Sequence, residues 1–231
     1  MKTAFVLNSA IEVAKDDLSL VFSAEMPTLL LGKRMVSTAS NINGYKMRNP
    51  MRDFTEEDWD RFTHGIGDLS NKNIYFYEED IDVPTIEKVT REVYAKKKDG
   101  QKMVVFIDYL QIIKMDSKWS VDRNKGMGDI ANNLKKLAKK LGITIVLLSQ
   151  LSRQVEQRQD KRPMMSDLRE SGELEQIADI IAFLYREEYY DRETDKKGIV
   201  ELIIGKHRNG EVGTVYLGFR KEFSKFINIT I

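Results

Sequence analysis

The apolar residues of this chain form short runs that are separated by polar segments. Phe5 to Ala14 repeats at helical spacing and ends at Asp16-Asp17, which predicts a helix near the start of the chain. Leu18 to Ser23 is an apolar run that predicts a buried strand, and Thr28 to Ser40 predicts a helix that begins after Pro27. The chain therefore opens with a helix, a strand and a helix in close succession.

The same alternation continues to residue 98. Residues 41–50 are rich in Asn, Gly and Pro, which is typical of a loop. Thr55 and Asp58 then have the spacing of a capping box and predict the start of a helix. Ile74 to Tyr77 predicts a strand, and Pro84 to Lys98 predicts a helix with proline in its first turn.

The second half of the chain adds five predicted strands and one long helix. The strands are Met103 to Ile107, Ile143 to Leu148, Asp179 to Tyr185, Ile199 to Ile204 and Val212 to Phe219, and the helix is Asp129 to Leu141. Asn209-Gly210 predicts a hairpin turn. Apolar strands that alternate with helices predict an α/β fold, with a mainly parallel sheet, helices on both faces and an antiparallel hairpin at one edge. The absence of linkers and repeats favours one domain over residues 1–231.

Composition narrows the classes of function. The 37 basic and 36 acidic residues give a net charge of +1, which by itself does not indicate a nucleic-acid partner, although Lys96 to Lys140 holds twelve basic and five acidic residues. The chain has no Cys and two His, which excludes disulfides and thiolate zinc sites and disfavours a His-based metal site. Its apolar runs fall short of the ~18 residues of a membrane span. We therefore expect a soluble, cytoplasmic protein without a membrane partner.

Candidate chemistry lies where the predicted strands end, because ligands of open α/β sheets bind beyond the carboxyl ends of the strands. Asp108 follows four aliphatic or aromatic residues, as does a carboxylate that a nucleotide hydrolase presents to Mg²⁺. Glu25 could act as a general base, and Gln150 could sense a phosphate through its amide. The structural alternatives are a turn-capping Asp, a solvated loop Glu and an amide that closes the end of a strand.

Two polar stretches suit contact with phosphates. The stretch Asp167 to Glu173 lies just before a helix and contains Arg169, so its amides and guanidinium could hold a phosphate. Lys206 and Arg208 share one side of the predicted hairpin and could reach the nucleotide of a neighbouring subunit. An ordinary loop and a solvated hairpin tip are the alternatives.

Taken together, these motifs resemble the DnaB-type replicative DNA helicases in their order and spacing. The matching stretches are Phe22 to Pro27, Ile107 to Gln111, Leu148 to Arg153, Asp167 to Gly172 and Ile204 to Gly210. The similarity runs from Lys2 to about Asn228 and is most specific from Gln157 to Ile180. It implies a RecA-like P-loop NTPase fold in a hexameric motor, which uses ATP and Mg²⁺ to move 5′ to 3′ along single-stranded DNA at the replication fork.

The resemblance also implies roles for the nucleotide-binding residues. Lys2 and Thr3 are similar to the last two residues of the family's P-loop, which contact phosphate and Mg²⁺. Glu25 resembles the catalytic base, and Asp108 resembles the carboxylate of the second nucleotide motif, which also binds the metal. Gln150 resembles the phosphate-sensing residue.

Further residues match the family's DNA-binding and intersubunit positions. Arg169, Glu170 and Gly172 match the loop that lines the central channel and holds the DNA backbone. Lys206 and Arg208 match the basic pair that reaches the ATP site of the adjacent subunit. The segment from residue 114 to residue 128 corresponds to a second channel loop, and its basic residues suit phosphate binding.

The sequence departs from the family pattern before Lys2-Thr3. The collar domain and linker that assist ring assembly and primase binding, the first strand and the glycines of the P-loop do not precede these residues. We therefore expect an N-terminally incomplete motor domain with weak or no ATP affinity when alone, and primase and a helicase loader as partners of the complete protein. The other hypotheses are a non-hydrolysing DNA-binding or assembly remnant, and a RecA-like recombinase or regulatory ATPase.

Overall fold

Four parallel strands form the first of two sheets. The computed structural model describes residues 1–119 and 122–229, apart from the side chains of residues 169–172. The strands of this sheet are β1 (Leu18–Ser23), β2 (Ile74–Tyr77), β3 (Met103–Asp108) and β4 (Thr144–Leu147), in the order β2-β1-β3-β4. β1 is central and pairs with β3 in a register that places Ser23 opposite Asp108. The predicted strands of the first half are confirmed.

Helices cover both faces of this sheet, as predicted. The helices are α1 (Lys2–Val13), α2 (Thr28–Ser40), α3 (Pro50–Asp53), α4 (Glu56–Ser70), α5 (Val83–Tyr94), α6 (Arg123–Leu141) and α7 (Gly172–Ile177). Leu20 and Phe22 of β1 face a buried cluster with residues of α5 and α6, whereas Val21 packs against α1 on the opposite face. All six residues of β1 are buried, because apolar contacts close over both of its faces.

The antiparallel strands form a second sheet of their own. It consists of β5 (Ile180–Tyr185), β6 (Ile199–His207), β7 (Gly213–Arg220) and β8 (Lys225–Asn228), in sequential order. The predicted placement of a hairpin at one edge of the parallel sheet is thus corrected, since β5 pairs antiparallel with β6. β8 was not predicted, because its four residues follow a short turn that ends at Ser224 (φ 50°). Apolar runs mark strands but do not fix which strands pair.

α1 connects the two sheets. On one side, Val6 and Ala10 pack against β1 and β3. On the other side, the Asn8 side chain donates to the Ser224 carbonyl (2.8 Å) and accepts from the Phe226 amide (3.0 Å), and the Phe5 ring meets the Phe226 ring edge-on. The start of the chain is therefore fixed against both the parallel sheet and the last strand.

A buried carboxylate fixes the start of α4. The predicted capping box is present, since Asp58 N donates to Thr55 Oγ1 (3.2 Å) and Thr55 N donates to Asp58 Oδ2 (3.1 Å). Lys46 and Arg61 also donate to this carboxylate, which is 1% exposed. The hydrogen bond from Lys46, together with those from Thr55 and Arg61, holds the pKa of Asp58 well below its usual range.

Asp58→Asn is expected to lower the free energy of unfolding by about 2–3 kcal/mol, because it leaves two cations without their buried partner. The loss should shrink progressively as the pH falls below about 4, because an Asp carboxyl of ordinary pKa then becomes protonated on unfolding, and it should vanish only near the depressed native pKa. Urea denaturation at pH 7 and pH 3.5 measures both effects. Asp60→Asn, at an exposed position of the same helix, is the matched control. Equal losses for the two variants would contradict the prediction.

Candidate active site

The carboxyl ends of β1, β3 and β4 meet at one edge of the parallel sheet. Asp108 is the last residue of β3 and pairs with Ser23, two residues before Glu25. β4 pairs with β3 in parallel and ends at Leu147, so Ser149 and Gln150 follow at the same edge. The residues predicted at three strand ends therefore share one edge of the sheet.

The start of α1 brings Lys2 and Thr3 to this edge. Thr3 Oγ1 donates to Asp108 Oδ2 at 2.7 Å, and Asp108 is 6% exposed. Lys2 Nζ donates to the Ser149 carbonyl at 3.1 Å and lies 5.3 Å from the centre of the Tyr109 ring. Residues more than 100 positions apart thus meet in one contact group.

The environment of the Lys2 ammonium suits the binding of an anion such as a phosphate. Burial lowers its pKa, and the charges of Asp108 and Glu25 act in the opposite direction. Glu25 is exposed, so its carboxylate is accessible to water. An additional phosphate would restore the stability of the ammonium form that burial removes.

Positive charge converges on the first residue of the chain. Burial lowers the pKa of the Met1 amino group, and the charges of Arg186, Arg34 and Lys2 lower it further. Arg186 follows the apolar run of β5, and its Nε is buried without a hydrogen-bond partner in the described part of the chain. A buried guanidinium nitrogen without a partner is costly, so an acceptor from a ligand would stabilise it. Lys2 of α1, Arg34 of α2 and Arg186, which follows β5, therefore raise the positive electrostatic potential where α1 begins.

Gln111 connects the strand-end residues to the second predicted channel loop, residues 114–128. Its Nε2 donates to Ser149 Oγ (3.0 Å), and its Oε1 accepts from the amide of Gln150 (3.3 Å). Its carbonyl accepts from Arg123, the first residue of α6 (3.1 Å). Gln111 therefore links the backbone of Gln150 to Arg123, which lies in the basic stretch of residues 114–128.

The basic stretch is exposed and internally paired. Lys118 lies 3.4 Å from Asp116 and Lys125 lies 3.1 Å from Asp122, both within the stretch, whereas Lys114 pairs with Asp80, which lies outside it (2.5 Å). Exposed pairs of this kind contribute little to stability, so phosphates could replace the carboxylates at low cost. Residues 120 and 121 of the stretch lie outside the described part of the chain.

Lys206 and Arg208 lie on one side of the second sheet, where both contact the end of α7. Lys206 Nζ donates to the Glu175 carbonyl, and Arg208 donates to the Gln176 carbonyl at 2.5 Å. Arg208 also lies 3.5 Å from Asp179. Carbonyls at the end of a helix attract cations, which explains this arrangement. Among the described contacts, none joins this pair to Lys2, Thr3 or Asp108.

The backbone of the first predicted channel loop, which contains residues 169–172, is a run of turns that leads into α7. Met165–Ser171 forms a 3-10 helix, and α7 begins at Gly172. The side chains of residues 169–172 lie outside the described part of the structure. The contacts predicted for Arg169, Glu170 and Gly172 therefore stay predictions.

The contact of Thr3 with the strand-end Asp108, with Lys2 beside it, agrees with a comparison against known families. The family described as DnaB-like helicase C terminal domain matches residues 1–228. The chain belongs to this family. Its predicted RecA-like fold is confirmed by a solved structure of an ATPase domain, which has a TM-score of 0.95 at 47% identity over 99% of this chain and 81% of that chain.

The curated relatives of this DnaB-like chain are replicative DNA helicases. The replicative DNA helicase DnaC of Bacillus subtilis is 46% identical over 230 residues, and DnaB of Geobacillus stearothermophilus is 46% identical over 231. Both matches take in 99% of this chain and 50% of the relative, so the chain spans about half the length of these relatives. A DnaB-like replicative helicase, solved in a study of its interactions with primase, has a TM-score of 0.95 at 47% identity and is covered to 55%.

Two further properties of the described residues bear on cofactors and on membranes. Within residues 1–119 and 122–229, no three His, Asp or Glu side chains group as a protein-only metal site. No helix in the same ranges is long and apolar enough to cross a membrane. Mg²⁺ commonly takes one or two protein oxygens together with substrate phosphates and water, so the pair of Thr3 Oγ1 and Asp108 Oδ2 fits it.

Three residues of this DnaB-like site escaped prediction from the sequence. Arg34 lies within a helix, and only the fold brings it close to Met1. Arg186 ends an apolar strand, so the strand-end rule that selects Asp108 would also have selected it. Gln111 lies three residues after Asp108, but the register of β3 and β4 decides its contacts.

Proposed function

We propose that this chain is the motor domain of a replicative helicase, which couples ATP hydrolysis to 5′–3′ translocation on single-stranded DNA and to duplex unwinding. The observation that carries the proposal is the hydrogen bond between Thr3 and Asp108, with Lys2 beside it at the carboxyl edge of a parallel sheet. Membership in the DnaB-like family gives this group its context, since the curated relatives are named replicative DNA helicases.

In this proposal, the triphosphate of ATP lies at the start of α1. Lys2, Arg34 and Arg186 bind its negative charge. Thr3 and Asp108 hold Mg²⁺, which, when bound, neutralises charge on the phosphates. Glu25 orients and deprotonates the attacking water, because its carboxylate is exposed and on the same edge of the sheet.

Gln150 and the basic segments connect the nucleotide to DNA. Gln150 senses the terminal phosphate through its amide, and Gln111 holds its backbone in place. Arg169, Glu170 and Gly172 contact the DNA backbone, and residues 114–128 add positive charge to the channel.

The proposed assembly is a homo-hexamer. Lys206 and Arg208 leave the carbonyls of α7 and reach the ATP of the adjacent subunit, where they stabilise charge in the transition state. Primase and a helicase loader are the proposed partners of the complete protein. Support for primase comes from the structural relative that was studied with it.

ATP hydrolysis with and without single-stranded DNA tests the function. Because the chain spans half of its relatives, the assay uses a chimera in which residues 1–228 replace the matching half of the Bacillus subtilis helicase. We expect DNA to stimulate hydrolysis and the chimera to unwind a forked duplex with a 5′ tail. Hydrolysis without any response to DNA would contradict the proposal and favour a regulatory ATPase.

Arg169→Ala is expected to weaken binding to single-stranded DNA about fivefold and to lower the salt dependence by one phosphate contact, a slope change of about 0.7. The fold should be retained, because a loop Arg contributes little to the core. Fluorescence anisotropy of a labelled oligonucleotide at several salt concentrations measures both quantities. Lys139→Ala, on the exposed face of α6, removes the same charge and should have a smaller effect. An unchanged dissociation constant for Arg169→Ala would refute its DNA contact.

A further inference from the structure

A buried ion pair lies between the end of β4 and the proposed DNA-binding loop. Both terminal nitrogens of Arg158 donate to Asp167, at 3.0 Å to Oδ1 and 2.7 Å to Oδ2. Asp167 is 4% exposed, whereas the side chain of Arg158 is 28% exposed. A two-bond contact of this kind fixes orientation as well as distance, because both partners are planar.

Asp167 also organises the backbone around it. Its Oδ2 accepts from the amide of Met164 (2.8 Å), and its own amide donates to the Met164 carbonyl (2.9 Å). Its carbonyl accepts from the amide of Ser152 at 3.0 Å. One residue thus joins the segment after β4 to the start of the turns at residues 165–171.

The segment between Ser152 and Asp167 is closed by further contacts. Arg158 donates to the Arg162 carbonyl (2.9 Å), and Lys161 Nζ donates to the carbonyls of Glu156 (2.7 Å) and Arg158 (2.9 Å). These hydrogen bonds join residues within the segment, so a displacement of its backbone at one end also displaces the other end. Ser152 lies two residues after Gln150, and Asp167 lies two residues before Arg169.

We propose that the Arg158–Asp167 pair is a positioning device that presents residues 169–172 to single-stranded DNA in a fixed relation to Gln150. The proposal rests on the DNA-binding role given to residues 169–172 under the proposed function. We assign no phosphate contact to Arg158 or Asp167, since both terminal nitrogens of Arg158 are engaged in the pair, its Nε is buried out of reach of solvent, and Asp167 carries a negative charge. The pair acts on affinity through the geometry of the loop that follows it.

The Asp167→Asn variant distinguishes a positioning role from a long-range charge effect, because the two predict opposite changes in the affinity for DNA. Removing a negative charge near a DNA site strengthens binding if long-range charge alone matters. Loss of the positioning contact weakens binding instead, and we expect the dissociation constant to rise about five- to tenfold. The slope of log affinity against log salt should stay unchanged, because the loop still makes its phosphate contacts when it binds and only the cost of ordering it rises.

The experiment is an anisotropy titration with a labelled oligonucleotide, together with hydrogen exchange of the amides of Ser152, Met164 and Asp167, in the chimera that carries residues 1–228. Arg158→Lys is the second variant, since it keeps the charge but loses the two-bond geometry. It should weaken DNA binding about threefold to tenfold, again with an unchanged slope. Asp160→Asn is the matched control, because Asp160 is an acid of the same segment whose side chain is 67% exposed.

Weaker binding and faster exchange in both variants, with the control unchanged, would support the proposal. Binding by Asp167→Asn that equals or exceeds that of the unaltered chimera would overturn it, provided that thermal melting shows a folded variant. If Asp167→Asn does not fold, the result for Arg158→Lys decides. Failure of the unaltered chimera to bind the oligonucleotide would instead overturn the proposed function, and with it the DNA role of the pair.

Discussion

Glu25→Gln is expected to slow ATP hydrolysis by about 10²–10⁴-fold while leaving nucleotide binding within about twofold, because an amide of the same shape cannot accept the proton of the attacking water. Glu25 is exposed at the edge of the sheet where Lys2, Thr3 and Asp108 meet, and its charge already acts on Lys2. Binding depends on the cations and on the pair of Thr3 and Asp108, which this substitution leaves in place.

Single-turnover hydrolysis and binding of a fluorescent ATP analogue separate the two effects in the chimera with the Bacillus subtilis helicase. Glu57→Gln is the control, since its side chain is 78% exposed at the start of α4. Asp108→Asn provides the contrast, because it should weaken nucleotide binding in the presence of Mg²⁺ as well as hydrolysis. Hydrolysis by Glu25→Gln at the rate of the unaltered chimera would remove Glu25 from the reaction.

Arg208→Ala is expected to reduce hydrolysis by about 10³-fold or more, as removal of an arginine that stabilises the transition state does in other nucleotide hydrolases. In this chain, Arg208 is held by the Gln176 carbonyl and by Asp179. In the proposed mechanism, the guanidinium exchanges these acceptors for phosphate oxygens of the nucleotide bound by the neighbouring subunit. Nucleotide binding should change little, because Arg208 acts on charge that develops during the reaction.

Mixing subunits tests whether Arg208 acts in trans. Subunits with Arg208→Ala retain an intact Asp108, and subunits with Asp108→Asn retain an intact Arg208, so some interfaces in a mixed ring contain both intact residues. Mixed rings should recover part of the hydrolysis that each variant lacks alone. Arg192→Ala, an exposed Arg in the connection between β5 and β6, is the control. No recovery at any mixing ratio would refute action across the interface.

The boundaries of several elements could be predicted because local signals mark them. β1 over Leu18–Ser23, α2 over Thr28–Ser40 and β2 over Ile74–Tyr77 have the predicted bounds. β2 ends before the charged Glu78, α2 begins after Pro27 and ends before Asn41, and β1 ends just before Ala24-Glu25, so local signals mark these bounds.

Two helices differ from their predicted bounds for physical reasons. α6 begins at Arg123 rather than Asp129, because the Asp122 side chain accepts from the amide of Lys125 and caps the helix before its apolar repeat begins. α5 ends at Tyr94 rather than Lys98, and the Lys97 side chain donates to the Gln101 carbonyl in the turn that follows.

The candidate site was predictable only as a set of residues. The strand-end rule selects Glu25, Asp108 and Gln150, and the family resemblance adds Lys2 and Thr3. The distances among them depend on parallel pairing of β1, β3 and β4 and on the placement of α1, which are long-range contacts. The single-domain assignment, the roles of these residues and the DNA contacts of Arg169, Glu170 and Gly172 stay predictions.

The sequence by itself determined the alternation of helices and strands, the family and the chemical groups available at the strand ends, because periodicity, capping and motif spacing are local properties. Tertiary structure alone decided that β5 to β8 form a separate antiparallel sheet and that the charges of Arg34 and Arg186 act at the start of α1. It also decided that Arg158 and Asp167 pair beneath the proposed DNA loop. Strand pairing and burial select among many possible partners, and that selection depends on contacts between residues far apart in the chain.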